Sequence, residues 1–373
     1  MNYSILRYIL GYVLKIEAAF MLLPCVTSLI YHEEEGRYFF VVACICMLIG
    51  VLMTLHKPKS TTFYLKEGCL ATSLSWILLS LFGAIPFWIS GEIPHWEDAL
   101  FETISGFTTT GATILGNVEA LSHTALIWRS FTHWIGGMGV LVFLLAILPL
   151  SGGSSINLMR AESPGPSVGK LVPKVRYTAM ILYAIYFGMT VIEFIFLLAG
   201  HMPLFDALTT AFGTAGTGGF GIKNDSMMGY SPYIQWVVAI FMILFGINFN
   251  FYFYLLYRHF KKAVSMEEIH YYLAMILIAI TIIFLNVRTM YPTGFEAMTH
   301  SVFQVASLAT STGFSTTDFD LWPQTSQTIL IIVMFVGACA GSTGGGIKVS
   351  RIVILFKTVL KELNSYIHPK SVR

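Results

Sequence analysis

Eight long apolar segments constrain the fold of this 373-residue chain more than any other feature. A helix needs roughly 20 consecutive apolar residues to cross the hydrocarbon core of a bilayer. Charged residues make up only 11% of the chain, against roughly 25% in soluble domains. The sequence therefore predicts an all-α polytopic membrane protein. The segments lie at residues 7–30, 38–55, 67–90, 124–149, 177–199, 231–257, 269–287 and 326–360.

The basic residues predict how the chain is oriented. Positively charged loops stay on the cytoplasmic side of a membrane, and basic clusters follow the second, fourth and sixth segments and lie along and after the second part of the eighth. This pattern places the N-terminus in the cytoplasm and the connections 91–123, 200–230 and 288–325 outside. Because the net charge of +2 is spread over several loops, it does not indicate nucleic-acid binding. The clusters are Lys57, Lys59 and Lys66; Arg160, Lys170, Lys174 and Arg176; Arg258, Lys261 and Lys262; and Lys348, Arg351, Lys357 and Lys361.

The three outer connections share one repeated pattern. Aligned on a glycine, they read FETISGFTTTGAT, TTAFGTAGTGGFG and FQVASLATSTGFS, with Gly111, Gly219 and Gly313 in register. A half-helix's worth of apolar residues precedes each glycine. One such cluster is typical of an ordinary turn between helices, but three in register on one side predict a repeated unit. The unit consists of a span, a short re-entrant helix, a Gly/Thr hairpin and a second span.

Non-helical backbone at membrane depth predicts a water-filled path. An unpaired peptide group facing lipid costs several kcal/mol, so such backbone is tolerated only against protein or along a lumen. Carbonyl oxygens turned into a lumen can replace the hydration shell of a cation, and glycine permits the backbone angles that this requires. The three hairpins are therefore predicted to surround a cation in transit.

An acidic residue stands near the start of each short helix. Asp98 and Asp206 lie 13 residues before their glycines, and Glu296 lies 17 before its own. N-capping and the positive pole of the helix both favour an acid at this place. We therefore interpret these three residues as helix caps and not as ion ligands.

A second glycine-rich stretch interrupts the eighth segment. Four glycines fall within six residues at 341–346, and each costs roughly 1 kcal/mol in a helix. A phosphate-binding loop is excluded, because that motif requires Lys directly after the last glycine and then Ser or Thr, whereas Ile347 and Val349 flank Lys348. Two interpretations remain: an unwound plug on the cytoplasmic side of the pore, or a helix kink with Lys348 reaching the interface.

With these motifs in view, the chain resembles the membrane subunit of the Trk/Ktr/HKT superfamily of potassium transporters, and in particular its TrkH-type members. SGFTTTGAT, GTGGFG, STGFSTTDFD and, most specifically, GACAGSTGGGIKVSRIVILFK carry the resemblance, which covers the whole chain. It implies span–pore-loop–span repeats around a pseudo-fourfold pore. The implied K⁺ filter residues are Thr109, Thr110, Gly111, Thr217, Gly218, Gly219, Ser311, Thr312 and Gly313, and the implied gate residues are Gly341, Ser342, Thr343, Gly344, Gly345, Gly346 and Lys348.

The resemblance also implies a division of the chain. Family members have four repeats, whereas this sequence shows three, so we expect either a truncated or split form or a second polypeptide that supplies the last quadrant. The expected units are an N-terminal helix pair at 1–60, repeat 1 at 61–160 with its pore loop at 96–116, repeat 2 at 161–262 with its pore loop at 204–224, and repeat 3 at 263–373 with its pore loop at 295–320 and gate loop at 341–346.

Potassium uptake across a bacterial inner membrane is the function that the resemblance implies, with Na⁺ as a second possible ion. It further implies a homodimer and a cytosolic nucleotide-binding regulator of the TrkA type. Ion-coupled symport stays open, because Glu17 and Glu193 lie within spans. A non-conducting subunit that needs a partner also stays open. No catalytic arrangement is found within spans, and the five cysteines lie in apolar runs without a CxxC pair, so neither an enzyme nor a bound cofactor is expected.

Overall fold

The computed structural model describes residues 2–58, 65–139 and 175–367, and all regular structure in these ranges is helical. The prediction of an all-α fold is confirmed for this part of the chain. The helices are α1 Tyr3–Phe20, α2 Leu22–Tyr31, α3 Gly36–Thr54, α4 Leu65–Ser90, α5 Trp96–Phe107, α6 His123–Met138, α7 Val175–Ala199, α8 Leu204–Ala215, α9 Pro232–Phe245, α10 Phe249–Leu256, α11 Phe260–Val264, α12 Glu267–Val287, α13 Gly294–Ala309, α14 Gln324–Val336 and α15 Val349–Ile367, with 3₁₀ turns at Val118–Ala120 and Phe319–Leu321.

Some expectations from the sequence fall outside the described ranges. They are the unit boundaries at 60/61 and 160/161, the part of the fourth apolar segment after residue 139, and the C-terminal residues 368–373.

Within the described ranges, five helices are long and apolar enough to cross a membrane, and a bent pair of helices makes a sixth. Large apolar side chains stay exposed on these helices, such as Leu29 at 76% and Leu277 at 63%. Apolar surface on this scale is stable against lipid and not against water. The chain is thus a multi-pass membrane protein. The five helices are Tyr3–Tyr31, Gly36–Thr54, Lys66–Ser90, Tyr177–Ala199 and Glu267–Val287.

The bent pair is α9 and α10, which meet at 90°. The sequence predicts one continuous span over 231–257, so the structure differs here. Helix α9 ends at Phe245, and Asn248 then caps α10 by accepting a hydrogen bond from the N–H of Asn250 at 3.0 Å. The carbonyl of Gly246, which the bend leaves without a helical donor, accepts from the N–H of Cys339 at 3.0 Å. A contact from a distant part of the chain satisfies the break, which is why local sequence did not reveal it.

Polar caps fix where the shorter helices begin. The side chains of Ser122, Ser231 and Thr293 accept hydrogen bonds from backbone N–H groups in the first turns of α6, α9 and α13. Pro232 occupies the first position of α9, where the missing N–H has no cost. These caps set the register of the helices around the outer connections.

The buried apolar side chains form three clusters that follow one another along the chain. The first spans the N-terminal helices and α4 to α6, the second is centred on α7 to α9, and the third on α12 to α14. Each of the first two clusters includes side chains from a short helix further along the chain, such as Phe205 of α8 in the first and Phe303 of α13 in the second. Neighbouring clusters are therefore joined through the short helices α8 and α13.

Candidate functional site

The short helices α5, α8 and α13 end in the same backbone motif. The residue two positions before each aligned glycine has a left-handed φ, at 53° for Thr109, 52° for Thr217 and 57° for Ser311. Its N–H binds the carbonyl three residues back, and the next N–H binds the carbonyl five residues back. These two bonds define a Schellman motif. A β-branched threonine rarely adopts this conformation, so its use marks a backbone geometry that the surrounding structure enforces.

The aligned glycines are also left-handed, with φ of 73° at Gly111, 75° at Gly219 and 88° at Gly313. We refer to residues 108–111, 216–219 and 310–313 as the outer hairpins. Only glycine adopts such angles at little cost. All three outer hairpins therefore carry left-handed residues at the same two positions, separated by one residue.

Close backbone contacts bring the outer hairpins together. A β carbon built on Gly111 would lie 1.8 Å from the carbonyl oxygen of Gly218 and 3.7 Å from that of Thr312. A β carbon on Gly219 would lie 1.8 Å from the same Thr312 oxygen. Among the described residues, no atom comes within 4 Å of a β carbon on Gly313. Peptide oxygens of the second and third hairpins thus meet the glycines of the first and second.

Hydroxyl groups in each of the three outer hairpins form hydrogen bonds within their own hairpin. The Oγ1 atoms of Thr108 and Thr110 lie 2.8 Å apart, and those of Thr310 and Thr312 lie 2.7 Å apart. Thr217 donates to the carbonyl of Gly216 at 2.7 Å. These bonds hold the hairpin shape, and a hydroxyl oxygen that donates its proton in this way still carries lone pairs for a cation.

The acidic residues at the starts of the short helices are not N-caps, which corrects one part of the sequence interpretation. Asp98, Asp206 and Glu296 are the third residues of α5, α8 and α13, and the caps are His95, Pro203 and Thr293. Their place in the first turn still favours them electrostatically, because the positive pole of the helix lies there. The opposite, negative poles end at the outer hairpins.

The glycine-rich break in the eighth segment is a folded loop, residues 337–348, which we name the inner loop. Helix α14 ends before it at Val336, and Gly337 has a φ of 76°. The loop turns back on itself, since the N–H of Ala338 binds the carbonyl of Gly345 at 3.3 Å and that of Lys348 binds Val336 at 3.0 Å. The ammonium group of Lys348 donates to the carbonyl of Gly344 within the same loop. The lysine thus binds the loop itself.

Hydrogen bonds connect the inner loop to three other elements. The N–H of Ala340 donates to Oε1 of Glu268 at 2.6 Å, and the N–H of Phe249 donates to the carbonyl of Gly341 at 2.9 Å. The N–H of Gly345 donates to Oγ of Ser311 at 2.7 Å. The inner loop therefore touches the third outer hairpin directly, as well as the bend between α9 and α10. Sequence reasoning had not identified Glu268, which looks like an ordinary acid in the first turn of a helix.

A converging set of peptide oxygens suits a weakly hydrated monovalent cation, because carbonyl dipoles can replace its water shell without a fixed negative charge. No cluster of three or more His, Cys, Asp or Glu side chains that could hold a metal ion is found among the described residues. The chemistry that the hairpins offer is that of ion passage.

Three comparisons place this chain beside known proteins. The TrkH family model, described as "Cation transport protein", matches residues 36–373. The Trk system potassium uptake protein TrkH of Salmonella typhimurium is 36% identical over 381 residues, which cover all of this chain and 78% of the relative. The Trk system potassium uptake protein TrkG of Escherichia coli is 32% identical over 376 residues, which cover 98% of this chain and 77% of the relative. The crystal structure of the potassium transporter TrkH from Vibrio parahaemolyticus matches with a TM-score of 0.87 and 30% identity, covering all of this chain and 78% of that one.

Proposed function

This chain belongs to the TrkH family of cation transport proteins, and we propose on that premise that it conducts potassium ions into the cell. One observation carries the proposal: three outer hairpins have the same left-handed residues, and the glycines of the first and second lie against peptide oxygens of the second and third. The names of its relatives, potassium uptake proteins, support the choice of ion.

The proposed filter consists of the nine residues of the outer hairpins that follow the short helices. Peptide oxygens would replace the water of a passing K⁺ ion. The C-terminal poles of α5, α8 and α13 add negative potential there. One glycine per hairpin gives a short filter, so discrimination between K⁺ and Na⁺ is expected to be modest. The filter residues are Thr109, Thr110, Gly111, Thr217, Gly218, Gly219, Ser311, Thr312 and Gly313.

The inner loop is the proposed gate. It touches the third outer hairpin through the hydrogen bond of Gly345 to Ser311, and separate hydrogen bonds, which can break one by one, hold it to α12 and to the bend between α9 and α10. In this proposal the loop obstructs the inner end of the path and moves aside when the protein conducts. The proposed gate residues are Gly341, Ser342, Thr343, Gly344, Gly345, Gly346 and Lys348.

We also propose the membrane in which the protein lies, its oligomeric state and its regulator. The protein would lie in the bacterial inner membrane with its N-terminus in the cytoplasm, as the basic loops predict. It would form a homodimer and bind a cytosolic nucleotide-binding regulator of the TrkA type. The helices α5, α8 and α13 fall within the expected pore loops 96–116, 204–224 and 295–320, apart from Gly294 at the start of α13, which supports the proposed division into repeats.

Uptake of Rb⁺, a K⁺ substitute, into proteoliposomes tests the function. Vesicles containing the protein should accumulate Rb⁺ down an imposed gradient, and external K⁺ should compete more strongly than Na⁺. The substitution Gly313→Ser should weaken the K⁺ preference, and deletion of residues 341–346 should raise basal uptake. Uptake no faster than in empty vesicles would contradict the proposed conduction.

A coupled symporter is the second candidate, favoured by two buried carboxyl groups. Glu17 and Glu193 are exposed by only 1% and 0%, and both lie within membrane-spanning helices. Ionisable groups in such places are typical of proton pathways. A pH jump applied across the same vesicles distinguishes the two mechanisms, because only a coupled carrier would drive Rb⁺ uptake from a proton gradient without an ion gradient.

A further inference from the structure

In two of the three units, a polar side chain of the short helix holds the chain just after the outer hairpin. The residues nine positions before the aligned glycines are Glu102, Thr210 and Gln304. Both carboxylate oxygens of Glu102 accept from Oγ1 of Thr113, at 2.9 and 3.1 Å. In the third unit, Nε2 of Gln304 donates to Oγ of Ser315 at 3.1 Å. Thr113 and Ser315 each stand two residues after their glycine, so the two units use the same arrangement.

The second unit lacks this arrangement. Its corresponding residue, Thr210, carries a hydroxyl on the β carbon and is too short to reach as a carboxylate or carboxamide does. The residue two positions after Gly219 is Gly221, which has no side chain to bind. A different residue takes over: Nη1 of Arg129, on α6 of the first unit, donates to the carbonyl of Gly221 at 2.7 Å.

Arg129 reaches this carbonyl as one half of a buried ion pair. Its Nε donates to Oε1 of Glu102 at 2.5 Å, and the two residues are exposed by only 3% and 1%. The planar guanidinium has donors for both tasks in fixed directions. Glu102 therefore neutralises Arg129 while it also holds Thr113, so one carboxylate connects the first hairpin to the second.

Stacked aromatic rings extend the contact of Arg129 towards the second outer hairpin. The guanidinium carbon of Arg129 lies 3.6 Å from the ring centroid of Phe220, which stacks on the ring of His133 at 4.1 Å. A β carbon on Gly218 would lie 2.4 Å from Nδ1 of His133. Arg129 and His133 are four residues apart and share one face of α6. This face of the first unit thus contacts Gly218, Phe220 and Gly221 of the second.

We propose that Glu102 and Arg129 are positioning residues that set the spacing of the second outer hairpin and thereby its discrimination between K⁺ and Na⁺. The inference rests on the proposed function, because it concerns the selectivity of the same filter. The ion pair takes the role of the longer polar side chain that the second unit lacks at Thr210. Because the two charges neutralise each other, no net charge is left beside the path of a cation.

The decisive variant is Arg129→Lys. A lysine keeps the charge that pairs with Glu102, but its donors all lie on one ammonium nitrogen, without the fixed fork that places Nε at Glu102 and Nη1 at Gly221, so it should lose the bond to the Gly221 carbonyl. The K⁺ over Na⁺ preference, measured by competition against Rb⁺ uptake in proteoliposomes, should fall about tenfold, the value of one hydrogen bond to a charged group. The double variant Glu102→Gln/Arg129→Gln leaves no unpaired charge and should show the same loss. The control Arg37→Gln removes an exposed pair with Glu34 and should leave the preference unchanged.

A second measurement separates positioning from folding. Thermal unfolding of the purified protein should show stronger protection by K⁺ than by Na⁺ in the wild type, and a weaker difference in Arg129→Lys. If both variants lower only the yield or the melting temperature and keep the wild-type ion preference, the pair is merely structural and the proposal is wrong. If the wild type shows neither Rb⁺ uptake nor K⁺-specific protection, the proposed function itself fails, and the positioning role fails with it.

Discussion

The outer hairpins and the inner loop are both rich in glycine, but their glycines do different work. In the outer hairpins one glycine per unit has a left-handed φ and, in two of the three, faces a peptide oxygen of the next hairpin. In the inner loop the glycines allow two backbone segments to cross, since a β carbon on Gly346 would lie 2.5 Å from Cα of Gly337. The arrangement of the outer hairpins is repeated and brings separate hairpins into contact, whereas the crossing in the inner loop occurs at one place among the described residues.

The difference extends to the contacts around each region. Each outer hairpin is fixed by the Schellman bonds at its helix end. The inner loop is held to its surroundings by hydrogen bonds to separate elements, among them those with Glu268, Phe249 and Ser311. A filter requires fixed oxygens and a gate requires bonds that can be broken. The comparison therefore predicts that small changes in the hairpins remove or alter conduction, whereas small changes around the inner loop increase it.

The largest effect is expected from Gly219→Ala. A left-handed alanine costs about 1–2 kcal/mol, and the new β carbon would overlap the Thr312 oxygen 1.8 Å away, which adds about 1–3 kcal/mol of overpacking. Rb⁺ uptake should fall on the order of 100-fold. The matched control is Gly313→Ala, which has the same strain in φ but open space around the β carbon. Equal losses in the two variants would show that inter-hairpin contact is unimportant.

The next effect concerns the inner loop and has the opposite sign. Glu268→Ala removes the acceptor for the N–H of Ala340, a hydrogen bond to a charged group and worth about 1.5–3 kcal/mol. Basal Rb⁺ uptake should rise on the order of tenfold if that bond keeps the gate closed. Glu267→Ala is the control, because this adjacent acid forms an exposed pair with Lys357. Uptake that stays at the wild-type level in Glu268→Ala would show that this bond does not keep the gate closed.

The sequence predicted the outer hairpins better than the inner loop and the bend beside it. The physical reason is the distance along the chain between the residues that determine each region. The hairpins depend on local signals: a glycine, the hydroxyl residues before it and a helix start. The bend between α9 and α10 and the role of Glu268 depend on contacts with residues about 70 to 90 positions away, which no local pattern encodes. Arg129 lies near the start of a predicted span, but its partners Glu102 and Gly221 come together only in the folded chain.

A smaller effect is expected where the two regions meet. Ser311→Ala removes the acceptor of the Gly345 N–H, a bond worth about 1 kcal/mol, so basal uptake should rise about fivefold. It also removes the bond that the hydroxyl donates to the carbonyl of Thr310 within the hairpin. Because Ser311 also belongs to an outer hairpin, its loss should change the ion preference at the same time. Ser342→Ala is the control, since that hydroxyl bonds the carbonyl of Cys339 inside the inner loop. A change of ion preference in the control as well would contradict a specific link through Ser311.

The smallest predicted effect is a pH dependence of stability that arises at the connection between α2 and α3. Glu33 lies in the connection between α2 and α3 and accepts hydrogen bonds from the N–H groups of His123 and Thr124 at 2.8 and 2.9 Å. Burial alone would raise the pKa of this carboxyl, but the bonds from Thr124 and His123 outweigh it and lower the pKa below the usual 4.5. Glu33 holds the start of α6, the helix that carries Arg129 to the second hairpin.

A lowered pKa means that the ionised carboxylate stabilises the folded state above the ordinary pKa and that this contribution disappears as the pH falls through the folded value. Glu33→Gln should cost about 1 kcal/mol at neutral pH, comparable to the loss of a helix cap. The difference in melting temperature between variant and wild type should shrink below a pH of about 4.5. Glu34→Gln, in the same connection and exposed, should show little difference at any pH. A difference in melting temperature that stays constant down to acidic pH would mean that the charge of Glu33 does not hold the start of α6. The position of this helix would then depend on packing alone.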